Sequence, residues 1–161
     1  MHPFIPPARI FQINVSDGGV PKLPVHSAEI TPSGVVGDRQ RDLEHHGGME
    51  RAVCLYALER ILDLQAEGHP IYPGAAGENL TLAGLDWELI VPGLRLRLGG
   101  DALVEVTRYT SPCSNLAPYF IDAGFSRISQ KLHPGWSRVY ARLLQPGVVR
   151  VGDRVEIWTP S

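Results

Sequence analysis

Glycine and proline interrupt this chain so often that few long regular elements can form. Seventeen glycines and fourteen prolines are spread through 161 residues. Proline removes a backbone donor and glycine weakens helix and strand interiors, so the chain is cut into many short pieces. Numerous short strands closed into a barrel or sandwich are the usual solution to that pattern. Ala8 to Val15 is predicted as a first strand, ended by Ser16-Asp17-Gly18-Gly19, with Val25 to Ile30 as its pairing partner. Arg51 to Tyr56 is a compact strand that runs into the clearest helix, Ala57 to Glu67. There Leu58, Ile61, Leu62 and Leu64 recur at helical spacing and Gly68 is the stop.

Further along, Glu78 to Leu82 reads as a strand. Leu94 to Leu98 and Ala102 to Tyr109 alternate on either side of Gly99-Gly100-Asp101, a hairpin signal. Leu116 to Ile121 and Arg127 to Leu132 are predicted as short helices, with Arg138 to Leu144 and Arg154 to Trp158 as closing strands. No repeat, low-complexity run or linker divides residues 1–161, so one domain is the expectation.

Composition narrows the class of function. A net charge of -2 gives no general attraction for nucleic acid or for acidic membranes. No run of about 18 apolar residues is present to span a bilayer. The N-terminal Met1-His2-Pro3-Phe4 lacks the basic and apolar segments of a secretory signal, which makes the cytoplasm the expected location. The basic residues are thirteen arginines with only Lys22 and Lys131. Arginine suits bidentate recognition of phosphate or carboxylate, and genomic base composition accounts for the same bias.

Two cysteines, Cys54 and Cys113, are too few for a disulfide scaffold, a four-thiolate zinc site or an iron–sulfur cluster. Cys113 follows a strand and Pro112, and precedes Ser114-Asn115 at a predicted helix start. Orphan N–H groups and the positive end of a helix there would favour thiolate, with Arg108 nearby, although a small packed hydrophobe fits the same turn. Cys54 lies mid-strand between Val53 and Leu55 and reads as an inert packed residue, so the two are taken as separate thiols.

His45-His46-Gly47-Gly48 followed by Arg51 offers free N–H groups for an anion nest, or simply a tight turn. The adjacent histidines point apart and make a poor zinc pair. Gly37-Asp38-Arg39-Gln40 is a turn signal first of all. In the loop Pro73 to Thr81, Asn79 carries both donor and acceptor groups suited to a heterocycle.

In this order, five stretches resemble the MOSC domain, the molybdenum cofactor sulfurase C-terminal domain family. They are Gly37-Asp38-Arg39-Gln40, His46-Gly47-Gly48-Met49-Glu50-Arg51-Ala52-Val53, Gly77-Glu78-Asn79-Leu80-Thr81, Ser111-Pro112-Cys113 and Gly152-Asp153. The resemblance covers about Val25 to Trp158 and is nearest to the stand-alone bacterial branch with the 6-N-hydroxylaminopurine-resistance proteins. It implies a mainly β fold with a few short helices, a closed β-barrel of the pyruvate-kinase barrel-like type. By position it makes Cys113 the sulfur-carrying or molybdenum-ligating residue. Arg39, His46, Gly47, Gly48, Arg51, Asn79, Arg108, Ser111 and Asn115 become candidates for holding the pterin and its phosphate. Two departures stand out. Those relatives usually carry a basic residue shortly after the cysteine, where this chain has Ser114-Asn115-Leu116, and Tyr109-Thr110 replaces a more basic lead-in.

Three functions follow from the resemblance and the residues. The first is a molybdenum-cofactor-binding component of an oxidoreductase acting on N-hydroxylated compounds, with Cys113 on the metal and an electron-donor protein as partner. The second is a sulfur carrier that takes persulfide on Cys113 from a cysteine desulfurase. The third is a non-catalytic barrel that binds a small anion. No lysine stands in a pyridoxal-phosphate setting, so that cofactor is not expected on this chain.

Overall fold

The computed structural model describes residues 6–39 and 49–159. Eleven strands appear among them: β1 Arg9–Val15, β2 Leu23–Val25, β3 Ser27–Thr31, β4 Gly34–Val35, β5 Val53–Ala57, β6 Leu80–Ala83, β7 Arg95–Leu98, β8 Ala102–Tyr109, β9 Val139–Gln145, β10 Gly147–Arg150 and β11 Val155–Ile157. A single α-helix among the described residues, α1 (Leu58–Ala66), crosses from β5 to β6, the only parallel pair found there. Eight strands form one sheet in the order β11-β7-β8-β9-β5-β6-β1-β2, and three form a second in the order β10-β3-β4.

β5 is the centre of the large sheet. All five of its residues are buried, as in a strand covered on both faces. It pairs in parallel with β6 (Leu55 opposite Leu80) and antiparallel with β9 (Cys54 opposite Tyr140). One apolar cluster includes Ile10, Ile30, Leu55, Leu82, Leu96, Val139 and Val149, so both sheets share a core. In α1, Ile61 and Leu64 are buried in that core. Leu62, assigned to the same face from its spacing, is instead 50% exposed. The helix ends at Gly68, whose N–H bonds to the Gln65 carbonyl while the His69 N–H reaches that of Leu64.

The expected barrel is not formed: both sheets are open. The reason is visible along β1. One edge of β1 pairs with β6. The other is divided between β2 at Ile13 to Val15 and the turn before β11, which it meets at one isolated bridge, Arg9 to Arg154. Backbone bonds join Ile10 to Asp153 and Gly152 there, but no ladder forms between β1 and β11.

The partner of β1 also differs from the expectation. Leu23–Val25 pairs with it, with Pro24 tolerated on an edge strand, whereas Ser27–Thr31 leaves for the small sheet and pairs with β10. Arg51 belongs to a short 3-10 turn (Met49–Arg51) and not to the strand. After Cys113 the two predicted short helices appear as three 3-10 helices shifted toward the N-terminus, Ser114–Tyr119, Ile121–Ala123 and Phe125–Ile128. Pro118 and the left-handed Asp122 and Ala123 (φ 53° and 57°) prevent a longer helix.

The loop before β6 is tied to the segment before β2 through Gly74, whose carbonyl accepts from the Lys22 N–H at 2.9 Å. Gly74 has φ +92°, and a Cβ there would lie 2.5 Å from the Lys22 carbonyl oxygen. Gly74→Ala should therefore lower unfolding stability by about 2 kcal/mol or more. Gly152→Ala, at the same φ of +92° but with open surroundings, should cost only about 1 kcal/mol. Urea unfolding of both variants reads the difference.

Candidate functional site

A cavity of about 330 Å³ opens where several of these elements converge. β5 contributes Cys54, the loop before β6 contributes Ala76, Gly77 and Asn79, and the stretch after β8 contributes Ser111, Cys113 and Asn115. Arg138 and Tyr140 enter from β9 and the residue before it. Gly19, Val20, Lys22 and Arg39 close the side formed by the N-terminal segment.

The structure thus gathers Cys113, Arg39, Asn79, Ser111 and Asn115 around one space. His46, Gly47 and Gly48 lie outside the described residues. Arg51 and Arg108 do not line the cavity. Arg108 is on the exposed side of β8, where its Nη2 meets Glu50 Oε2 at 2.6 Å, and the Arg51 guanidinium lies 5.8 Å from the Tyr140 ring centre. Side chains alternate along a strand, and that phase directs Arg108 away from the thiol it was expected to assist.

The two are separate free thiols of different burial, as expected, but both line the same cavity. Cys54 is 5% exposed, and burial pushes its thiol above the ordinary range despite the nearby Arg138 charge. It therefore stays protonated at neutral pH. Cys113 is half-buried and extended (φ -135°), immediately before the Ser114–Tyr119 turn.

Asn79 is already committed to the protein. Its Oδ1 accepts the Cys54 N–H at 2.9 Å, and its Nδ2 donates to Asp38 Oδ2 at 2.9 Å and to the Asn14 carbonyl at 3.4 Å. One Oδ1 lone pair is left for a ligand, so Asn79 is a wall and positioning residue. Asp38 does more than turn the chain. Its carboxylate accepts from Lys22 Nζ at 2.6 and 2.7 Å and from the Ser16 N–H at 2.9 Å. Both side chains of the Lys22–Asp38 pair are nearly buried, at 9% and 5% exposure. Ser111 and Asn115, in contrast, have no side-chain partner among the described residues.

Sequence reasoning missed Lys22, Cys54, Arg138 and Tyr140 as cavity residues. A signal was available for two of them: Arg138 and Tyr140 are two apart in a strand, hence on one face. Arg138 is 6% exposed; its Nη1 donates to the Ala76 carbonyl at 2.7 Å and its Nη2 to that of Ser111 at 3.4 Å. Burial pushes the Tyr140 phenol up to about 12, so it keeps its proton at neutral pH. Behind the wall, Glu78 is fully buried, with Oε2 accepting from Thr81 Oγ1 at 3.0 Å and Oε1 without a partner among the described residues.

Comparison with known proteins places these observations. The MOSC domain profile matches residues 42–156. YflK of Bacillus subtilis is 35% identical over 142 residues, covering 86% of this chain and 62% of that protein. A Gibberella moniliformis protein called "Reductase" is 33% identical over 130 residues, covering 78% of this chain and 22% of that protein. The chain therefore spans less than two thirds of either relative. The crystal structure of YiiM from Geobacillus stearothermophilus superimposes with a TM-score of 0.74 at 28% identity, covering 95% of this chain and 76% of the other. Among the described residues no helix is long and apolar enough to cross a membrane.

Two stability measurements probe the cavity wall. Asp38→Ala strands the buried Lys22 ammonium and should cost about 3 to 5 kcal/mol, with much of the loss recovered when Lys22 is also replaced by Met. Burial pushes the Glu78 carboxyl above its ordinary range, so the folded state binds that proton more tightly than the unfolded chain. The resulting stability is fully present below the unfolded value of about 4.3 and is lost as pH rises through the folded value. Glu78→Gln should accordingly be more stable than the parent at pH 7, with the gap closing in acid, as read by denaturant unfolding across that range.

Proposed function

This chain belongs to the MOSC domain family, and from that premise we propose that it is a molybdenum-cofactor-binding component of an oxidoreductase for N-hydroxylated compounds, with Cys113 as the metal ligand. The observation that carries the proposal is the placement of a half-buried thiol in a cavity of about 330 Å³, within the usual range for small-molecule sites. Among the described residues no group of three or more His, Cys, Asp or Glu side chains could hold a metal ion alone. A metal that arrives on its own organic ligand needs only one further donor, and a thiolate is a soft ligand suited to it. The residues present fit that group.

When bound, the cofactor supplies two-electron chemistry, in which an N–OH group, two electrons and two protons give N–H and water. The chain's own residues have separate tasks. Cys113 Sγ would hold the metal. The unpartnered side chains of Ser111 and Asn115 supply polar contacts, and Arg39, 77% exposed at its side chain, brings positive charge to the rim. Asn79 holds the wall through Asp38 and the Cys54 backbone. Tyr140 is a neutral phenol at neutral pH and holds a proton at Oη. Electrons come from a partner, because two cysteines cannot ligate a cluster. The name of the relative called "Reductase", matched over 22% of its length, is in keeping with a reductive role.

A second reading, a persulfide carrier, is favoured by the greater exposure of Cys113 over Cys54. Metal and pterin analysis separates the two. Protein from a cofactor-producing host should carry about one molybdenum per chain, and Cys113→Ser should retain less by about tenfold or more. Absence of molybdenum and pterin from well-folded protein, with about 32 Da added at Cys113 after treatment with a cysteine desulfurase and cysteine, would overturn the first reading for the second.

A further inference from the structure

Arg138 is a buried cation that no carboxylate contacts among the described residues. Its residue is 6% exposed, its Nε is buried with no partner among them, and its two hydrogen bonds there go to the neutral carbonyls of Ala76 and Ser111. A guanidinium has five N–H donors, so most of them are unused among the described residues. No ion pair to Arg138 is present among those residues either, in contrast to Lys22, which Asp38 neutralises. Glu78 lies near enough to interact with Arg138 through space, but burial drives its carboxyl toward the neutral form. Tyr140 and Cys54, on the same wall, are neutral at pH 7.

Burying an uncompensated charge costs several kcal/mol, and a counter-ion delivered by a ligand removes that cost. Ala76 and Ser111, the two carbonyl partners, themselves line the cavity, which fixes the guanidinium at its wall. We infer that Arg138 anchors a built oxyanion subsite in this cavity, beside Cys113, which takes the phosphate or carboxylate group of a small molecule. The subsite does not depend on the metal. Its charge comes from a guanidinium, whose planar donor set matches an oxyanion. Arg39, at 77% exposure and 3.8 Å from Asp17, is solvated and cannot supply an equivalent interaction.

The test uses metal-free, full-length protein and inorganic phosphate as the probe. Phosphate stabilises folded proteins in general by exclusion from their surfaces, so the readout is local: the rate of Cys113 alkylation by neutral iodoacetamide, followed by mass spectrometry. Replacing chloride with phosphate at constant ionic strength should slow alkylation saturably. In Arg138→Gln the phosphate concentration for half-protection should rise about tenfold to hundredfold, and Arg138→Lys should fall between. Absent protection in the parent protein, or protection unchanged in Arg138→Gln, overturns the inference. If Arg138→Gln does not fold, the parent and Arg138→Lys still decide, since a planar donor set and a point charge bind phosphate differently. Calorimetric titration of phosphate into protein carrying a phosphate-bearing cofactor identifies the source of the anion: lost binding assigns the subsite to the cofactor, and retained binding that weakens in Arg138→Lys assigns it to the substrate. Because the main measurement is made without molybdenum, its failure is distinct from a failure to find that metal.

Discussion

Cys54 and Asn79 exchange two hydrogen bonds: the Cys54 N–H reaches Asn79 Oδ1 at 2.9 Å, and the Asn79 N–H reaches the Cys54 carbonyl at 2.8 Å. This pair closes the parallel junction one step before the ladder that starts at Leu55 and Leu80. A parallel pair needs a crossover, and α1 supplies it, with Ile61 and Leu64 packed in the shared core. The backbone N–H of Cys54 would otherwise be buried without a partner at a cost of about 1 to 3 kcal/mol. An asparagine solves this because it accepts at Oδ1 while its Nδ2 binds Asp38. Through Asp38 the contact continues to Lys22 and to the Ser16 N–H, so the N-terminal segment is docked onto the central strand by polar bonds. The cavity lies between that segment and the stretch after β8. Its shape therefore depends on a hydrogen-bond chain that begins in the sheet interior.

Charge is distributed unevenly around the space so formed. Lys22 is neutralised, Glu78 is biased toward its acid form, and the Tyr140 phenol and Cys54 thiol keep their protons. What remains is the buried Arg138 guanidinium and, at the rim, the solvated Arg39. A low-dielectric wall strengthens the field of Arg138, and the protonated Tyr140 and Cys54 beside it carry no charge to offset an incoming anion. The same field would act on a ligand held at Cys113, which is why the proposed anion subsite and the thiol form one electrostatic unit.

Much of the strand pattern was legible because short alternating runs between Pro and Gly leave few alternatives; β1, β5, β7, β8 and β9 fall close to their predicted positions. The gathering of Cys113, Ser111, Asn115, Asn79 and Arg39 followed from five motifs in order, since a shared order of loops brings the same loop ends together. Barrel closure was not legible. It depends on how β1 divides one edge between β2 and the Gly152 turn, and periodicity says nothing about edges. The bounds of the short helices after Cys113 were missed for a local reason, the positive φ values at Asp122 and Ala123, which neither residue type signals strongly. Leu62 fitted a helical stripe but lies at its margin, beyond the arc that the sheet covers. Arg138 escaped notice because an arginine at a strand end ordinarily reads as a solvated edge residue.

The two cysteines show how much a strand's phase decides. Cys54 was judged inert from its flanking Val53 and Leu55, and in one respect that holds, since burial keeps its thiol protonated. Yet alternation turns Cys54 to the opposite side from its neighbours, toward the cavity that Cys113 also lines. Reactivity with an electrophile or a metal requires both thiolate and access. Cys113 is the more accessible of the pair and is held by an extended backbone that ends in a turn, outside the ladder of β8. Cys54 is fixed within the central strand and cannot move without breaking its bonds to Asn79. Of the two thiols, Cys113 is therefore the one placed to take the role proposed for it, while Cys54 forms part of the cavity wall.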